Sequence, residues 1–134
     1  MKTVQVLKMA AAGLAMTLGL GANAAEGPEQ KDIQIGISEV FVPGGFDSTS
    51  DVFVVASGIF PNGCYRWKNA DVKNVDAYTH EVRATATVVQ GMCLMVLVPF
   101  SKEIRMGKFA PGKHALRFLN GDGTYLEKTL NIEE

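Results

Sequence analysis

Apolar and polar residues alternate with a period of two along most of the chain, which is the pattern of half-buried β-strands. The clearest example is 79–88, where apolar side chains and one histidine, His80, alternate with threonine, glutamate and arginine. Dense Gly, Pro and Asn signals separate the alternating stretches. The segments predicted to be extended are 33–38, 52–60, 64–68, 79–88, 92–100, 102–109, 114–119 and 124–132.

Four segments are interpreted on other grounds. Met92–Phe100 is almost wholly apolar, so we predict a central strand covered on both faces. Residues 120–123, Asn-Gly-Asp-Gly, are a strong hairpin signal between the last two strands. Pro43–Ser50 is predicted to be a loop, and residues 71–78 are polar and irregular.

The fold class follows from the number and length of these strands. No segment after residue 24 has an apolar stripe of helical period, and no repeat or linker divides the chain. Seven or so short strands in about 110 residues predict an all-β fold, a single antiparallel immunoglobulin-like β-sandwich. A small closed barrel is the main alternative. We expect the sandwich over 33–134, after a flexible polar arm over 25–32.

The first 24 residues have the order of a secretion signal. Lys2 and Lys8 give a positive start, 9–20 is apolar, and Ala22-Asn23-Ala24 is a small-x-small cleavage site. The apolar run is too short, and too rich in Gly and Ala, for a good membrane span. We therefore expect a cleaved signal, no membrane span after cleavage, and a periplasmic or secreted protein.

Cys64 and Cys93 are the only cysteines of the chain. Exported proteins meet an oxidising environment, so two cysteines in a small exported domain predict one disulfide. A redox pair and metal thiolates are the alternatives. The sequence has no Cys-x-x-Cys spacing, which favours the structural disulfide.

Charge and motifs exclude several function classes. The chain has 13 basic and 14 acidic side chains, and the predicted signal contributes two of the lysines. The processed chain is thus slightly acidic, without a basic stripe, and nucleic acid is not an expected partner. There is no Gly-x-Ser-x-Gly, His-Glu-x-x-His or Gly-rich phosphate motif. We therefore expect neither an enzyme nor a cofactor.

The candidate binding surface is Tyr65-Arg66-Trp67-Lys68, which contains the only tryptophan. Strand alternation places Tyr65 and Trp67 on one face, and Arg66 and Lys68 on the other with Cys64. If Cys64 is buried, a regular strand turns Trp67 outward, and the four residues form a recognition patch. The alternative is that a bulge or the end of the strand reverses the alternation, so that Trp67 packs on the disulfide.

Three local patterns resemble a known family. They are Ser57–Tyr65, Cys93 with the later Val98–Phe100, and Gly107–His114. Together they resemble an uncharacterised family of small secreted bacterial immunoglobulin-like β-sandwich domains with one disulfide, over roughly 50–132. The resemblance implies the fold and export, and no activity.

One position departs from many immunoglobulin-like domains. In those domains a tyrosine follows the Pro-Gly corner and hydrogen-bonds back to the main chain. His114 occupies that place here. The sequence therefore predicts a corner, and leaves its hydrogen bond open.

Together these features predict an exported, non-catalytic binding domain that recognises a protein or an envelope glycan. One alternative is a periplasmic inhibitor of a hydrolase, with Pro43–Ser50 as the inserting loop. Another is a periplasmic copper carrier that uses Met92, Met95 and a histidine, since thioether ligands suit Cu(I). Core packing by methionine in a buried strand is the simpler interpretation of Met92 and Met95.

Overall fold

The alternating segments form eight β-strands in the structure, a computed structural model that describes residues 29–134. No helix occurs in this range. The predicted signal, 1–24, and residues 25–28 of the predicted arm lie outside the described residues. The strands are β1 (Gln30–Ile35), β2 (Glu39–Phe41), β3 (Val52–Phe60), β4 (Tyr65–Asp76), β5 (Thr79–Val89), β6 (Val98–Gly107), β7 (Gly112–Leu119) and β8 (Tyr125–Ile132).

The strands form two sheets packed as a sandwich, as predicted. One sheet contains β1, β4, β5, β7 and β8, and the other has the order β2-β3-β6. β4 lies along one edge of β5, while β7 and β1 share the other edge, pairing with 79–83 and 84–89 respectively. The β5–β7 pairing is parallel, and the other strand pairs are antiparallel. The sequence did not predict this parallel pair.

The core lies between the two sheets, where the inward-facing residues of each strand meet. The alternation of β5 is confirmed, because Val82, Ala84 and Ala86 are buried at 1% exposure or less. Gly58 lies under the ring of Phe100, and a Cβ atom at this position would approach that ring to 2.5 Å. Glycine is therefore required there for the ring to pack against β3. Within residues 29–134 no helix is long and apolar enough to span a bilayer.

β4 is longer than predicted, because residues 71–76 continue the strand instead of forming an irregular segment. A bulge at Lys68 interrupts its pairing with β5 between Trp67 and Asn69. Trp67 faces inward before the bulge, and Ala70 and Val72 face inward after it. The extra residue of a bulge shifts the alternation of inward and outward side chains by one position. The second half of β4 therefore does not continue the period-two pattern of its first half.

The prediction of a central strand over Met92–Phe100 is wrong for most of its length. Residues 92–97 form an exposed loop, and only Val98–Phe100 belong to a strand, the first part of β6. The segment predicted as a separate strand, 102–109, continues that same strand to Gly107. The disulfide joins this loop to Cys64, in the turn directly before β4.

The strands at the two ends of the chain fit the prediction with one change. β1 begins at Gln30, so the segment before the sandwich is shorter than the arm predicted over 25–32. The main-chain N–H of Gln90 donates to the carbonyl of Glu29 at 2.8 Å and fixes this start. At the other end, β7 and β8 form the predicted hairpin around 120–123.

Candidate functional site

The Cys64–Cys93 disulfide is present, with the two Cα atoms 5.3 Å apart, and the described residues contain no free cysteine. It joins the turn before β4 to the loop before β6. The N–H of Gly63 also donates to the carbonyl of Leu94 at 2.8 Å. We call this region of the sandwich, Gly63 and Cys64 with residues 91–97, the disulfide end.

An open groove lies beside the disulfide end, between β4 and β6, and has a volume of about 480 Å³. Phe60 stacks on Phe100 with ring centroids 4.5 Å apart, and Trp67 packs against the same ring at 5.7 Å. Tyr65 stacks on Phe60, with ring centroids 5.6 Å apart. We call this the β4–β6 groove; its lining residues are Phe60, Arg66, Trp67, Pro99, Phe100, Ser101 and Lys102.

The position of Trp67 combines parts of both sequence hypotheses. Cys64 lies in the turn just before β4, so its burial does not set the alternation of the strand. Tyr65 and Trp67 share the inward face, as the alternation predicted, and both are half-buried. Trp67 packs on Phe100 and lines an open groove. It is therefore neither a core residue nor a fully exposed one.

The two basic neighbours of Trp67 are separated in the structure. Arg66 is exposed and lines the groove. Lys68 instead forms an ion pair with Asp32 of β1, which also accepts a hydrogen bond from Thr87 at 3.0 Å. The hydrogen bond from Lys68, followed by that from Thr87, lowers the pKa of the Asp32 carboxyl. Lys68 thus belongs to the surface of the five-stranded sheet and not to the groove.

The lysine that lines the groove is Lys102. The sequence predicts Lys68 as the lysine of the recognition patch. Lys102 follows 18 residues without a charged side chain, from Ala84 to Ser101. β4 and β6 belong to different sheets. Neither the uncharged stretch before Lys102 nor the alternation of apolar residues indicates that these two strands face each other. The groove residues of β6 were therefore missed for lack of a pairing signal.

A second cluster lies at the opposite end of β5, where two histidines are buried. His80 and His114 are exposed by only 3% and 1%. Nε2 of His80 and Nδ1 of His114 are 2.9 Å apart, and Nε2 of His114 lies 2.7 Å from the carbonyl of Ala110. We call these three residues the histidine corner. His114 therefore makes the main-chain hydrogen bond that a tyrosine makes in many related sandwiches.

The hydrogen-bond partners determine the protonation of the histidine corner. A carbonyl only accepts, so His114 carries its proton on Nε2, and its Nδ1 accepts from Nε2–H of His80. Nδ1 of His80 lies 2.6 Å from Oδ1 of Asn74. An amide oxygen only accepts, so a neutral His80 that donates from Nε2 requires the Asn74 side chain to be turned with its NH2 group toward Nδ1. Burial, together with the neighbouring His114, lowers the pKa of His80 despite the opposing charge of Asp76.

The surroundings of the histidine corner give it a structural role. The ring of Phe109 stacks on His80 with centroids 4.1 Å apart and an angle of 3°. Tyr78 covers His114 at 4.8 Å, and the N–H of Ala115 donates to the Tyr78 carbonyl. Every ring nitrogen has a partner within the protein. The pair is thus occupied in holding β5 to the corner before β7.

The structure does not bring together the groups that a copper carrier requires. Met92 and Met95 lie at the disulfide end, whereas His80 and His114 lie at the other end of β5. Nine residues of strand separate the two ends, roughly 30 Å at about 3.4 Å per residue. Within residues 29–134 no three His, Cys, Asp or Glu side chains are placed to share a metal ion.

The loop assigned to a hydrolase inhibitor, Pro43–Ser50, lies against the sandwich. Phe46 at its centre is buried and contacts Phe53 edge to face, with centroids 5.6 Å apart. The N–H of Glu133 donates to the Phe46 carbonyl at 2.9 Å. In the loop 91–97, by contrast, every residue except Cys93 is exposed.

Comparison with known proteins identifies the domain. The model of one protein family, described as the ORF11 beta-sandwich domain, matches residues 54–132, more than half of the chain. The chain belongs to this family. In this ORF11 beta-sandwich domain the matched range covers the disulfide, the β4–β6 groove and the histidine corner. No curated protein and no solved structure matches the chain significantly.

Proposed function

We propose that this protein is an exported, non-catalytic binding domain that recognises an extended, acidic segment of a partner protein in the β4–β6 groove. The observation that carries the proposal is the position of Trp67, half-buried on Phe100 in an open groove between two sheet edges. Tryptophan is among the residues enriched at the hot spots that dominate the binding energy of protein interfaces.

The free edges of two strands favour an extended peptide as the occupant. Within the described residues β4 pairs only with β5, and β6 pairs only with β3. Each strand therefore presents one row of main-chain donors and acceptors without strand partners, and the groove lies between these rows. A peptide strand satisfies such groups by adding to the sheet, while its alternate side chains enter the adjoining pocket.

The charge of the groove favours acidic side chains in that peptide. Arg66 and Lys102 are exposed at the groove. Neither forms an ion pair with another of residues 29–134. No acidic side chain lines the groove. Complementary charge on a partner raises the rate of association and selects against basic partners.

The alternative occupant is an envelope glycan. Trp67 offers a ring face on which a sugar ring can stack, and Ser101 and Lys102 offer a hydroxyl and an ammonium group for sugar oxygens. The unpaired main-chain groups of β4 and β6 have no role in this alternative. We therefore rank it second.

Export to the periplasm or beyond is part of the proposal. It is supported by the n-, h- and c-region order of residues 1–24 and by the single disulfide, which oxidising compartments stabilise. It agrees with the resemblance to small secreted bacterial domains. Intact-mass analysis of the envelope protein should show loss of the first 24 or 25 residues, and full-length protein in that fraction would contradict export.

Binding of designed peptides tests the groove. The probes are eight-residue peptides in which valine alternates with glutamate, glutamine or lysine, so that only charge differs. The emission of Trp67, the only tryptophan, reports occupancy of the groove. We expect the glutamate peptide to bind most tightly and the lysine peptide least, with an affinity that falls as salt rises. Equal binding of the three peptides, or none, would contradict the proposal.

Charge reversal separates a loss of binding from a loss of folding. Arg66→Glu and Lys102→Glu change exposed side chains and should each weaken the glutamate peptide about tenfold, since interface charge pairs contribute on the order of 1.5 kcal/mol or more. Lys73→Glu, on the same strand away from the groove, is the matched control. A glycan array hit that depends on Trp67 would instead support the alternative occupant.

A further inference from the structure

The loop at the disulfide end exposes an unusual amount of apolar surface. Met92 is fully exposed, Met95 is 80% exposed, and Leu94 is 76% exposed. Leu97 and Val96 follow at 68% and 53%. Scattered exposed apolar residues are normal, but a contiguous set marks a site of interaction with a protein or a membrane.

The loop exposes these side chains in several directions. Five of its six residues from Met92 to Leu97 are exposed, including four in succession, so the apolar surface is not confined to one face. A protein surface covers one side of such a projection, whereas the interior of a bilayer surrounds it. No charged side chain occurs from Ala84 to Ser101. The loop can therefore enter lipid without burying a charged group of this segment.

The described residues begin at the same end of the domain as the loop. The N–H of Gln90, next to the loop, donates to the carbonyl of Glu29, so the described residues begin at the disulfide end. If the signal is cleaved after Ala24, only residues 25–28 separate the cleavage site from Glu29. Four residues span at most about 14 Å at 3.6 Å each, so a domain that folds before cleavage has this end nearest the bilayer.

We propose that residues 92–97 insert into the interfacial region of a lipid bilayer and hold the domain on the membrane with its disulfide end inward. This goes beyond the recognition of a partner in the β4–β6 groove and does not depend on it. The disulfide and the Gly63–Leu94 hydrogen bond fix the base of the loop, so little order must be gained on insertion. Arg66 and Lys102, in the groove beside the disulfide end, are exposed basic side chains that anionic headgroups would attract.

Vesicle sedimentation of the exported protein tests insertion. The probes are vesicles of phosphatidylcholine alone and of phosphatidylcholine with phosphatidylglycerol. We expect the wild-type protein to bind both, and the anionic vesicles more tightly. Leu94→Asp and Met95→Asp should each lower the partition coefficient at least tenfold, because a carboxylate must then enter the interface. Val75→Asp changes an exposed apolar residue on β4 away from the loop and should leave binding unchanged.

A relocated tryptophan gives an independent measure of insertion. In the double variant Trp67→Phe, Met95→Trp we expect a blue-shifted emission on vesicles and quenching by lipids brominated on the acyl chains. Thermal unfolding of each variant verifies that it is folded. Absence of wild-type vesicle binding, or equal binding by the Asp variants, would overturn the proposal. A third result would also overturn the proposal. If the wild-type protein is a dimer that binds no vesicles, and Met95→Asp converts it to a monomer, then a second copy of the chain covers the loop.

Discussion

The two ends of β5 use buried and exposed groups in opposite ways. At the start of the strand, the histidine corner buries two polar rings, and each ring nitrogen has a partner inside the protein. Beyond the end of the strand, the disulfide holds a loop whose apolar side chains have almost no contact with the core. Polar groups lie inside at one end, and apolar groups lie outside at the other.

This difference indicates a division between stability and recognition. A buried polar network fixes one arrangement only when all of its members are satisfied, and removing one member is costly. An exposed apolar loop contributes little to folding, because its side chains gain no burial when the chain folds. The covalent bond at its base replaces the packing that would otherwise position it. Substitutions at the two ends should therefore have very different effects.

The largest effect is expected at the histidine corner. His114→Ala removes a fully buried ring, leaves Nε2–H of His80 and the carbonyl of Ala110 without their partner, and opens a cavity. We expect a loss of about 3–5 kcal/mol in the free energy of unfolding, measured with urea. Met95→Ala in the exposed loop and Lys113→Ala beside the corner should each stay within about 0.5 kcal/mol. Equal losses for His114→Ala and Met95→Ala would contradict the division.

Removal of the disulfide is expected to have a similar or slightly smaller effect. The two cysteines are 29 residues apart, and the loop-entropy account gives roughly 3–4 kcal/mol for a closed loop of about this length. Cys64→Ser with Cys93→Ser should lose that amount in urea unfolding, with the histidine corner unchanged in its NMR signals. Thiol labelling of the unreduced, denatured wild-type protein should find no reactive thiol. Two labelled thiols would contradict the bond.

A smaller, pH-dependent effect is expected from His80. Its pKa in the folded protein lies below the ordinary value of 6.5, chiefly because burial disfavours the charged ring. Below pH 6.5 the unfolded chain therefore binds more protons than the folded one, and stability falls as the pH is lowered from 7 to 5. The exposed aspartates have pKa values below 3.8 and do not titrate in this window.

The His80→Gln variant is the control for this pH effect. Glutamine keeps hydrogen-bonding capacity but does not titrate, so the decline between pH 7 and pH 5 should be smaller than in the wild type. Urea unfolding at several pH values measures both slopes. A wild-type stability that rises toward pH 5 would contradict the protonation assigned to His80.

Much of the fold could be predicted because burial on one face leaves a period-two signal. The alternation of β5, the hairpin between β7 and β8, and the turn before Cys64 all follow from local residue chemistry. The exposed loop 92–97 was misinterpreted, since an apolar run in a sequence does not distinguish a covered strand from an uncovered loop. β4 was cut short because its bulge at Lys68 changes which residues face inward.

Of the groove residues, those on β4 could be predicted from the sequence and those on β6 could not. Tyr65, Arg66 and Trp67 are adjacent in sequence, so their composition alone indicated a recognition surface. Phe100 and Lys102 come from β6, in the other sheet, and no local pattern states which strands face each other across a sandwich. Likewise, the parallel pairing of β5 and β7 that surrounds the histidine corner joins residues more than 30 positions apart.

The most direct test of recognition in the β4–β6 groove is a map of NMR shifts during titration with the valine–glutamate peptide. We predict that changes concentrate at the Trp67 indole and the main-chain amides of Ser101 and Lys102, while the ring signals of His80 and His114 stay constant. Changes centred on the two histidines, or on the surface of the five-stranded sheet around Lys68, would contradict the assignment of recognition to the groove beside the disulfide end.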